Sequence, residues 1–313
     1  MIPEINDIND AYSRIKNQVH RTPILTSESV NRIAGAEVFF KCENLQKVGA
    51  FKFRGASNAV LSLTDDEAKN GVATHSSGNH AQALALAARM RGIPAYIVMP
   101  DNSPQVKKDA VAGYGAEIIY CKPTLEARES TLNAVVSRTN ACFVHPYNNF
   151  KVISGQGTAA LECLESIENP DIIMTPVGGG GLLSGTSIYT KNFNSNIKVI
   201  AAEPKGADDA FRSLKEGRIM PSVNPQTICD GLLTSLGELT FAAISKYVDE
   251  IITVSDDSVI NAMKLIWERM KIIVEPSACV TLAAVLDNPE KFYRKRIIII
   301  LSGGNLDFGK LPF

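Results

Sequence analysis

The order of short apolar runs and helical segments constrains the fold of this 313-residue chain most strongly. Apolar, β-branched runs begin at Val72, Ala95, Glu117 and Cys142, about 22 to 25 residues apart, and segments with a helical pattern fill the gaps. Strands that alternate with helices at this spacing are typical of βαβ units, whose parallel strands are covered on both faces. This part of the chain therefore predicts a parallel sheet flanked by helices.

A second series of the same kind follows. Its strand-like runs are Ile172–Met174, Ile197–Ala202, Ile251–Val254 and Ile297–Leu301, again with helical segments between them. The two series meet near residues 146–157, a stretch rich in Pro, Asn and Gly. The sequence thus predicts an α/β fold with two open, mostly parallel sheets; the run at residues 38–41 could join either one.

Composition and charge exclude several classes of protein. The chain is 45% hydrophobic with a net charge of −1, so it can build the cores of two domains but has no basic surface for nucleic acid. No apolar run approaches the roughly 18 residues of a membrane span, and the N-terminus lacks a signal-peptide pattern. The six cysteines are scattered without a CxxC pair. We therefore expect a cytoplasmic protein that binds a small molecule rather than nucleic acid or membrane.

Three polar or glycine-rich stretches follow strand-like runs. They are Ser76–His80, Gly178–Gly181 and Ser302–Asn305. Ligands of open α/β sheets bind at the carboxyl ends of the strands. The three stretches therefore predict one shared cleft.

The glycine run at 178–181 lies between a strand and a helical segment. Successive glycines let backbone N–H groups turn inward and bind an anion, aided by the N-terminus of the following helix. The run matches neither a Walker loop nor a dinucleotide-binding loop. A flexible turn is the alternative, but four glycines carry a large entropic cost for a turn alone, which favours a phosphate site.

The other two stretches each allow a structural and a functional interpretation. Ser76–His80 precedes an alanine-rich helix, where its hydroxyls and N–H groups suit a substrate carboxylate. The same residues can simply cap the helix, and the two roles are compatible. Ser302 follows a buried strand, where it can form a tight turn or donate its hydroxyl to a ring nitrogen.

Lys52 stands in a run of glycines and aromatic residues at 49–56. A lysine amine becomes a nucleophile toward an aldehyde when its pKa is lowered, although most lysines are surface charges. A lysine for an aldehyde, a glycine cradle for a phosphate and a hydroxyl for a pyridine nitrogen together describe pyridoxal 5′-phosphate.

The segment Glu203–Asp209 places three carboxylates within seven residues. With backbone carbonyls, they could bind a hard cation such as Mg²⁺. An acidic helix N-terminus explains the same pattern equally well.

Several motifs resemble one known family over about residues 8–306. They are 51–56 (FKFRGA), 76–80 (SSGNH), 154–158 (SGQGT), 177–182 (VGGGGL) and 301–305 (LSGGN). The chain resembles the serine/threonine dehydratase family of fold-type II pyridoxal-phosphate enzymes. The resemblance implies the tryptophan synthase β-like fold, with residues 1–67 and 149–313 in a large cofactor-binding domain and 68–148 in a small mobile one. It also implies a homodimer.

The resemblance implies a role for each matching residue. Lys52 would form the Schiff base with pyridoxal 5′-phosphate. The other cofactor-binding residues would be Phe51 beside the ring, Asn79 at the 3-hydroxyl, Gly178, Gly179, Gly180 and Gly181 at the phosphate, Gly231 and Glu275 along the wall, and Ser302 at the ring nitrogen. The substrate-binding residues would be Ser76, Ser77, Asn79, His80 and Arg128. A divalent cation such as Mg²⁺ would bind Glu203, the carbonyl of Ala207, and Asp209.

The implied activity is racemisation of serine together with removal of water from serine or threonine. Lys52 can serve one face of Cα, and Ser77 occupies the position that the family's racemases use for the opposite face. Arg128 matches an arginine of those racemases, although a solvated helix arginine is its alternative.

Other functions remain open. The chain could be a catabolic threonine/serine dehydratase or a 3-hydroxyaspartate ammonia-lyase without useful racemisation. It could also bind a small molecule without catalysis. Where many dehydratases have an acidic pair after His145-Pro146-Tyr147, this chain has Asn148-Asn149, and we do not predict regulation by ATP.

Overall fold

The computed structural model of the protein describes residues 1–76 and 78–313. Over these residues the strands form two sheets, one of six and one of four strands. The strands are β1 (Ile24–Leu25), β2 (Glu37–Cys42), β3 (Val72–His75), β4 (Ala95–Pro100), β5 (Glu117–Cys121), β6 (Cys142–Phe143), β7 (Ile172–Pro176), β8 (Lys198–Pro204), β9 (Glu250–Val254) and β10 (Arg296–Leu301).

Helices separate most of the strands along the chain. They are α1 (Ile5–Ile15), α2 (Glu28–Ala34), α3 (Lys52–Leu61), α4 (Asp65–Ala68), α5 (Asn79–Arg91), α6 (Gln105–Gly113), α7 (Leu125–Thr139), α8 (Phe150–Ser166), α9 (Gly181–Phe193), α10 (Asp209–Glu216), α11 (Glu238–Tyr247), α12 (Asp256–Met270), α13 (Pro276–Asp287) and α14 (Pro289–Phe292). None of these helices is both long enough and apolar enough to cross a membrane.

The larger sheet has the order β1-β2-β10-β7-β8-β9. Only β1 runs antiparallel to its neighbour; the other pairs are parallel. The central strand β10 contains five consecutive apolar residues, 297–301, that are fully buried, as expected for a strand covered on both faces. The run at 38–41, which the sequence could not assign, lies in β2 and pairs with β10.

The smaller sheet has the order β5-β4-β3-β6, and all of its pairs are parallel. Alanine-rich α5 packs on it with most of its residues buried. The predicted α/β fold with two mostly parallel sheets is therefore confirmed.

The stretch at 146–157 differs from a simple connecting loop, because α8 begins within it at Phe150. A Cβ added at Gly155 would lie 2.7 Å from the carbonyl oxygen of Arg54 in α3. A Cβ added at Gly157 would lie 2.8 Å from the carbonyl oxygen of Gly185 in α9. These glycines therefore allow three helices to pack closely.

Candidate active site

The segment before α3 is tied to the loop that follows β10. Ala50 and Gly303 form an isolated antiparallel bridge, and the Phe51 N–H donates to the carbonyl of Ser302 at 3.0 Å. Lys52 is the first residue of α3. The structure thus brings Lys52 and the Ser302 loop together.

The amine of Lys52 forms a hydrogen bond with a backbone carbonyl, which the sequence does not predict. Its Nζ donates to the carbonyl oxygen of Pro146 at 3.0 Å and lies 5.2 Å from the centroid of the Phe51 ring. Burial lowers the pKa of Lys52 to about 8, and the negative charge of Glu275 opposes this shift. A larger share of the amine is therefore unprotonated at neutral pH than in an exposed lysine.

Asn79, Glu275 and Asn305 form a hydrogen-bonded group near this amine. Asn79 Nδ2 donates to both carboxylate oxygens of Glu275, at 3.0 and 3.2 Å, and Asn79 Oδ1 accepts from Asn305 Nδ2 at 3.0 Å. The Asn305 N–H donates to Glu275 Oε2 at 3.1 Å. These contacts fix the orientation of the Asn79 amide. Nothing in the local sequence marks Asn305 as a partner of Asn79.

Glu275 is almost fully buried, at 3% exposure. Burial raises the pKa of its carboxyl to about 7, and the nearby charge of Asp230 raises it further. A Cβ added at Gly303 would lie 2.7 Å from Glu275 Oε1, and the Gly231 N–H donates to Ser277 Oγ at 3.0 Å. Gly303 and Gly231 thus pack closely against Glu275 and Ser277.

The glycine loop at 178–181 has backbone amides that could bind an anion. Within the described part of the chain, the N–H groups of Gly178, Gly179 and Gly180 donate to no protein acceptor. The loop runs directly into the N-terminus of α9, and Gly180 has a φ of 85°, which favours glycine. Free amides at a helix N-terminus suit a phosphate group.

The ring of Tyr147 lies against this loop. A Cβ added at Gly179 would approach Tyr147 Cδ1 to 2.4 Å. Nothing local to residue 147 indicates that Tyr147 meets a loop about thirty residues away in the sequence.

Among the described residues, those expected to bind substrate lie around the start of α5 and on α7. Ser76 Oγ accepts from the N–H of Gly78, the residue before α5, at 3.3 Å. His80 is buried, and its Nε2 lies 3.3 Å from the carbonyl oxygen of Val144. Arg128 Nε is buried without a hydrogen-bond partner among the residues described. Ser77 lies outside the described residues.

The residues expected to bind a cation lie at the end of β8 and the start of α10. Glu203 accepts from the N–H groups of Ala210 and Phe211 at 3.0 and 2.9 Å, and burial raises its pKa to about 9. Both carboxylate oxygens of Asp209 are buried and, over residues 1–76 and 78–313, have no hydrogen-bond partner. Burial raises the pKa of Asp209 to about 6. The carboxyls of Glu203 and Asp209 are both buried, and that of Asp209 has no hydrogen-bond partner among the described residues. This arrangement fits the binding of a divalent cation.

Side chains alone would not complete such a cation site. No group of three or more His, Cys, Asp and Glu side chains in the described residues is arranged to hold a metal ion. A backbone carbonyl would have to provide a further ligand, such as that of Ala207, a residue that is 5% exposed.

The groups around Lys52 fit pyridoxal 5′-phosphate in their chemistry. They combine a lysine of lowered pKa, a glycine loop whose amides have no acceptor among the described residues, and a buried serine at residue 302. The model of the family described as "Pyridoxal-phosphate dependent enzyme" matches residues 15–303. The chain belongs to this family.

Individual members of the family are similar along nearly their whole length. The serine racemase of Dictyostelium discoideum is 52% identical over 98% of this chain and 96% of its own. The beta-hydroxyaspartate dehydratase of Paracoccus denitrificans (strain Pd 1222) is 50% identical over 100% of this chain and 99% of its own. The solved structure of maize serine racemase superposes with a TM-score of 0.96 at 45% identity, covering 99% of this chain and 95% of that one.

Proposed function

We propose that this pyridoxal-phosphate enzyme is a serine racemase that also removes water from serine and threonine, giving a 2-oxo acid and ammonia. The observation that carries the proposal is the position of the Lys52 amine, whose pKa is lowered and whose Nζ donates to the carbonyl of Pro146. The next residue, Tyr147, packs on the glycine loop, and Phe51 donates its N–H to the carbonyl of Ser302. Serine racemases are also among the most similar relatives of this chain.

Four parts of the chain would hold the cofactor. Lys52 would bond its aldehyde carbon, the amides of 178–181 would bind its phosphate, Asn79 would meet its 3-hydroxyl, and Ser302 would meet its ring nitrogen. When bound, pyridoxal 5′-phosphate supplies an electron sink that makes the Cα proton of an amino acid acidic enough to remove. Gly231 and Glu275 would line the same wall.

Protein groups would move the proton on each face of the substrate. The free amine of Lys52 removes the Cα proton on one face, because its lowered pKa leaves it partly unprotonated at neutral pH. The hydroxyl of Ser77 would supply a proton on the opposite face, which inverts the configuration. Loss of the β-hydroxyl after the same proton removal would instead lead to the 2-oxo acid and ammonia.

The substrate carboxylate would bind at the start of α5. The N-terminal amides of this helix and the Ser76 hydroxyl favour an anion there. Arg128, whose Nε lacks a partner among the described groups, would add a positive charge near the substrate.

An ammonia-lyase without racemisation is the second candidate. The 50% identity to the Paracoccus beta-hydroxyaspartate dehydratase over the whole chain favours it. A chiral assay with L-serine, L-threonine and 3-hydroxyaspartate separates the two candidates, because only a racemase forms D-serine.

Further parts of the proposal concern the assembled enzyme. Mg²⁺ or a similar cation would bind Glu203, Asp209 and the Ala207 carbonyl. Residues 68–148 would move as a small domain, in a cytoplasmic homodimer. One contact supports closure of the small domain on the large one. Lys107 Nζ in α6 lies 2.6 Å from Asp230 Oδ2, next to Gly231.

Two substitutions test the proposal. Lys52→Ala should abolish racemisation and elimination and remove the visible absorption of the bound cofactor, whereas Lys69→Ala, at an exposed lysine, should leave all three unchanged. Ser77→Ala should lose D-serine formation from L-serine but keep pyruvate formation. Turnover retained by Lys52→Ala would refute the assignment, and equal loss of both reactions in Ser77→Ala would refute the division between two faces.

A further inference from the structure

The turn at residues 145–148 supplies the hydrogen-bond acceptor of Lys52. The carbonyl oxygen of Pro146 lies 3.0 Å from Lys52 Nζ, across 94 positions of sequence. A carbonyl only accepts hydrogen bonds, so it can hold the amine whether the amine carries two hydrogens or three. The position of this carbonyl therefore sets where the amine stands before and after it takes a proton.

The imidazole of His145 holds the turn in shape. His145 Nδ1 accepts from the N–H of Asn148 at 2.9 Å and from the N–H of Tyr147 at 3.3 Å. A ring nitrogen that accepts hydrogen bonds carries no hydrogen, which assigns the hydrogen of the neutral ring to Nε2. Burial lowers the pKa of His145 to about 4, and the neighbouring His75 and Lys52 add to the effect, so the ring stays neutral at physiological pH.

Other contacts anchor the same turn to the cofactor cleft. The ring of Tyr147 meets that of His145 edge-on, with centroids 4.6 Å apart, and it also lies against Gly179 of the glycine loop. Asn148 Oδ1 accepts from the N–H of Leu239 at 2.9 Å, which joins the turn to α11. The turn is thus a fixed part of the site and not a free loop end.

We infer that His145 is a positioning residue for Lys52: its Nδ1 caps the turn that presents the Pro146 carbonyl to the lysine amine. The inference rests on the proposed function of Lys52 as the group that moves the Cα proton. Without the cap, the two N–H groups lose their acceptor, the turn relaxes, and the carbonyl no longer holds the amine in place. His145 does not itself exchange a proton with the substrate.

Two amide substitutions separate this role from acid–base catalysis. The side-chain oxygen of asparagine falls near the position of Nδ1, whereas that of glutamine reaches toward Nε2. His145→Asn therefore keeps the cap and loses Nε2, and His145→Gln does the reverse. His145→Leu removes both polar positions.

The first measurement is kcat and KM for L-serine with the cofactor-loaded enzyme. His145→Asn should keep kcat within about threefold of the wild type, whereas His145→Gln and His145→Leu should lower it about 10- to 100-fold, as expected when a catalytic group shifts by a fraction of an ångström to one ångström. KM should change little in all three variants. High activity in His145→Gln with low activity in His145→Asn would assign the role to Nε2 and overturn the inference.

The second measurement uses the cofactor-free protein and so does not depend on turnover. The acetylation rate of Lys52 against pH should have the same midpoint in the wild type and His145→Asn, near the pKa of about 8, and a displaced midpoint in His145→Gln. Equal midpoints in all variants would overturn the positioning role. If the wild type neither racemises nor eliminates, the proposed function fails, while the labelling still decides the role of His145. Comparing Asn with Gln keeps the test valid if the leucine variant does not fold.

Discussion

Lys52 should titrate far below an ordinary lysine in the cofactor-free protein. Burial lowers its pKa to about 8 from 10.5. At pH 7 about 9% of such an amine is unprotonated, against about 0.03% at a pKa of 10.5, which is a gain of about 300-fold in the nucleophilic form. The site would therefore supply a reactive amine before any cofactor or substrate arrives.

Competitive acetylation measures this value directly. The protein is treated with a trace of heavy acetic anhydride at pH 6 to 11, unfolded, fully acetylated with the light reagent, digested and analysed by mass spectrometry. The labelling of Lys52 should rise with a midpoint near pH 8, while that of Lys69, whose side chain is 64% exposed, serves as the internal reference.

A change at Glu275 tests the sign of the electrostatic argument. The Glu275 carboxylate raises the pKa of Lys52 against the effect of burial. Glu275→Gln should therefore move the Lys52 midpoint to lower pH, and Glu268→Gln, at an exposed position of α12, should not move it. A wild-type midpoint near pH 10.5, or an upward shift in Glu275→Gln, would refute the reasoning.

Three further predictions concern stability, metal and cofactor binding. Arg54→Leu should lower the free energy of unfolding in urea by about 3 to 5 kcal/mol, because two buried carboxylates lose their shared guanidinium. Arg21→Leu, at a half-exposed pair, should change it by less than about 1 kcal/mol. Because burial raises the pKa of Asp209 from 3.8 to about 6, its ionisation should destabilise the metal-free fold as pH rises through this range. Mg²⁺ should then raise the unfolding temperature more at pH 8 than at pH 4.5, and an equal rise in Asp209→Asn would contradict the site. Gly178→Ala should weaken cofactor binding about tenfold in an absorbance titration, since its Cβ would lie 2.8 Å from the backbone Cα of Leu232. Gly113→Ala, whose Cβ would meet nothing within 4 Å beyond the adjoining backbone of its own helix, should bind normally.

The sequence predicts those features of the fold and site that local pattern encodes. Strand-like runs at regular spacing identify the sheets, and the loops at strand ends identify the cleft, because parallel strands bring their carboxyl ends to one edge. Lys52, the glycine loop and Ser302 are recognisable because each has an unusual local composition. The run at 38–41 could not be assigned to a sheet, since its apolar pattern suits the core of either one.

The remaining features depend on contacts between distant positions. The Pro146 carbonyl is a backbone group, so no residue type marks it as the partner of Lys52. Asn79 and Glu275 are 196 positions apart, and Glu275 was implied only by resemblance to known enzymes. Gly155 lies in the Pro-, Asn- and Gly-rich stretch where the two strand series meet, and nothing in the local sequence shows that its role is to let helices approach.

Racemisation of L-serine in D₂O tests the central claim most directly. If Lys52 removes the Cα proton on one face and Ser77 returns a proton on the other, D-serine formed by the wild type should carry deuterium at Cα and appear together with pyruvate. Ser77→Ala should form pyruvate without D-serine. D-serine that retains its original Cα hydrogen, or D-serine formed at the wild-type rate by Ser77→Ala, would contradict the account.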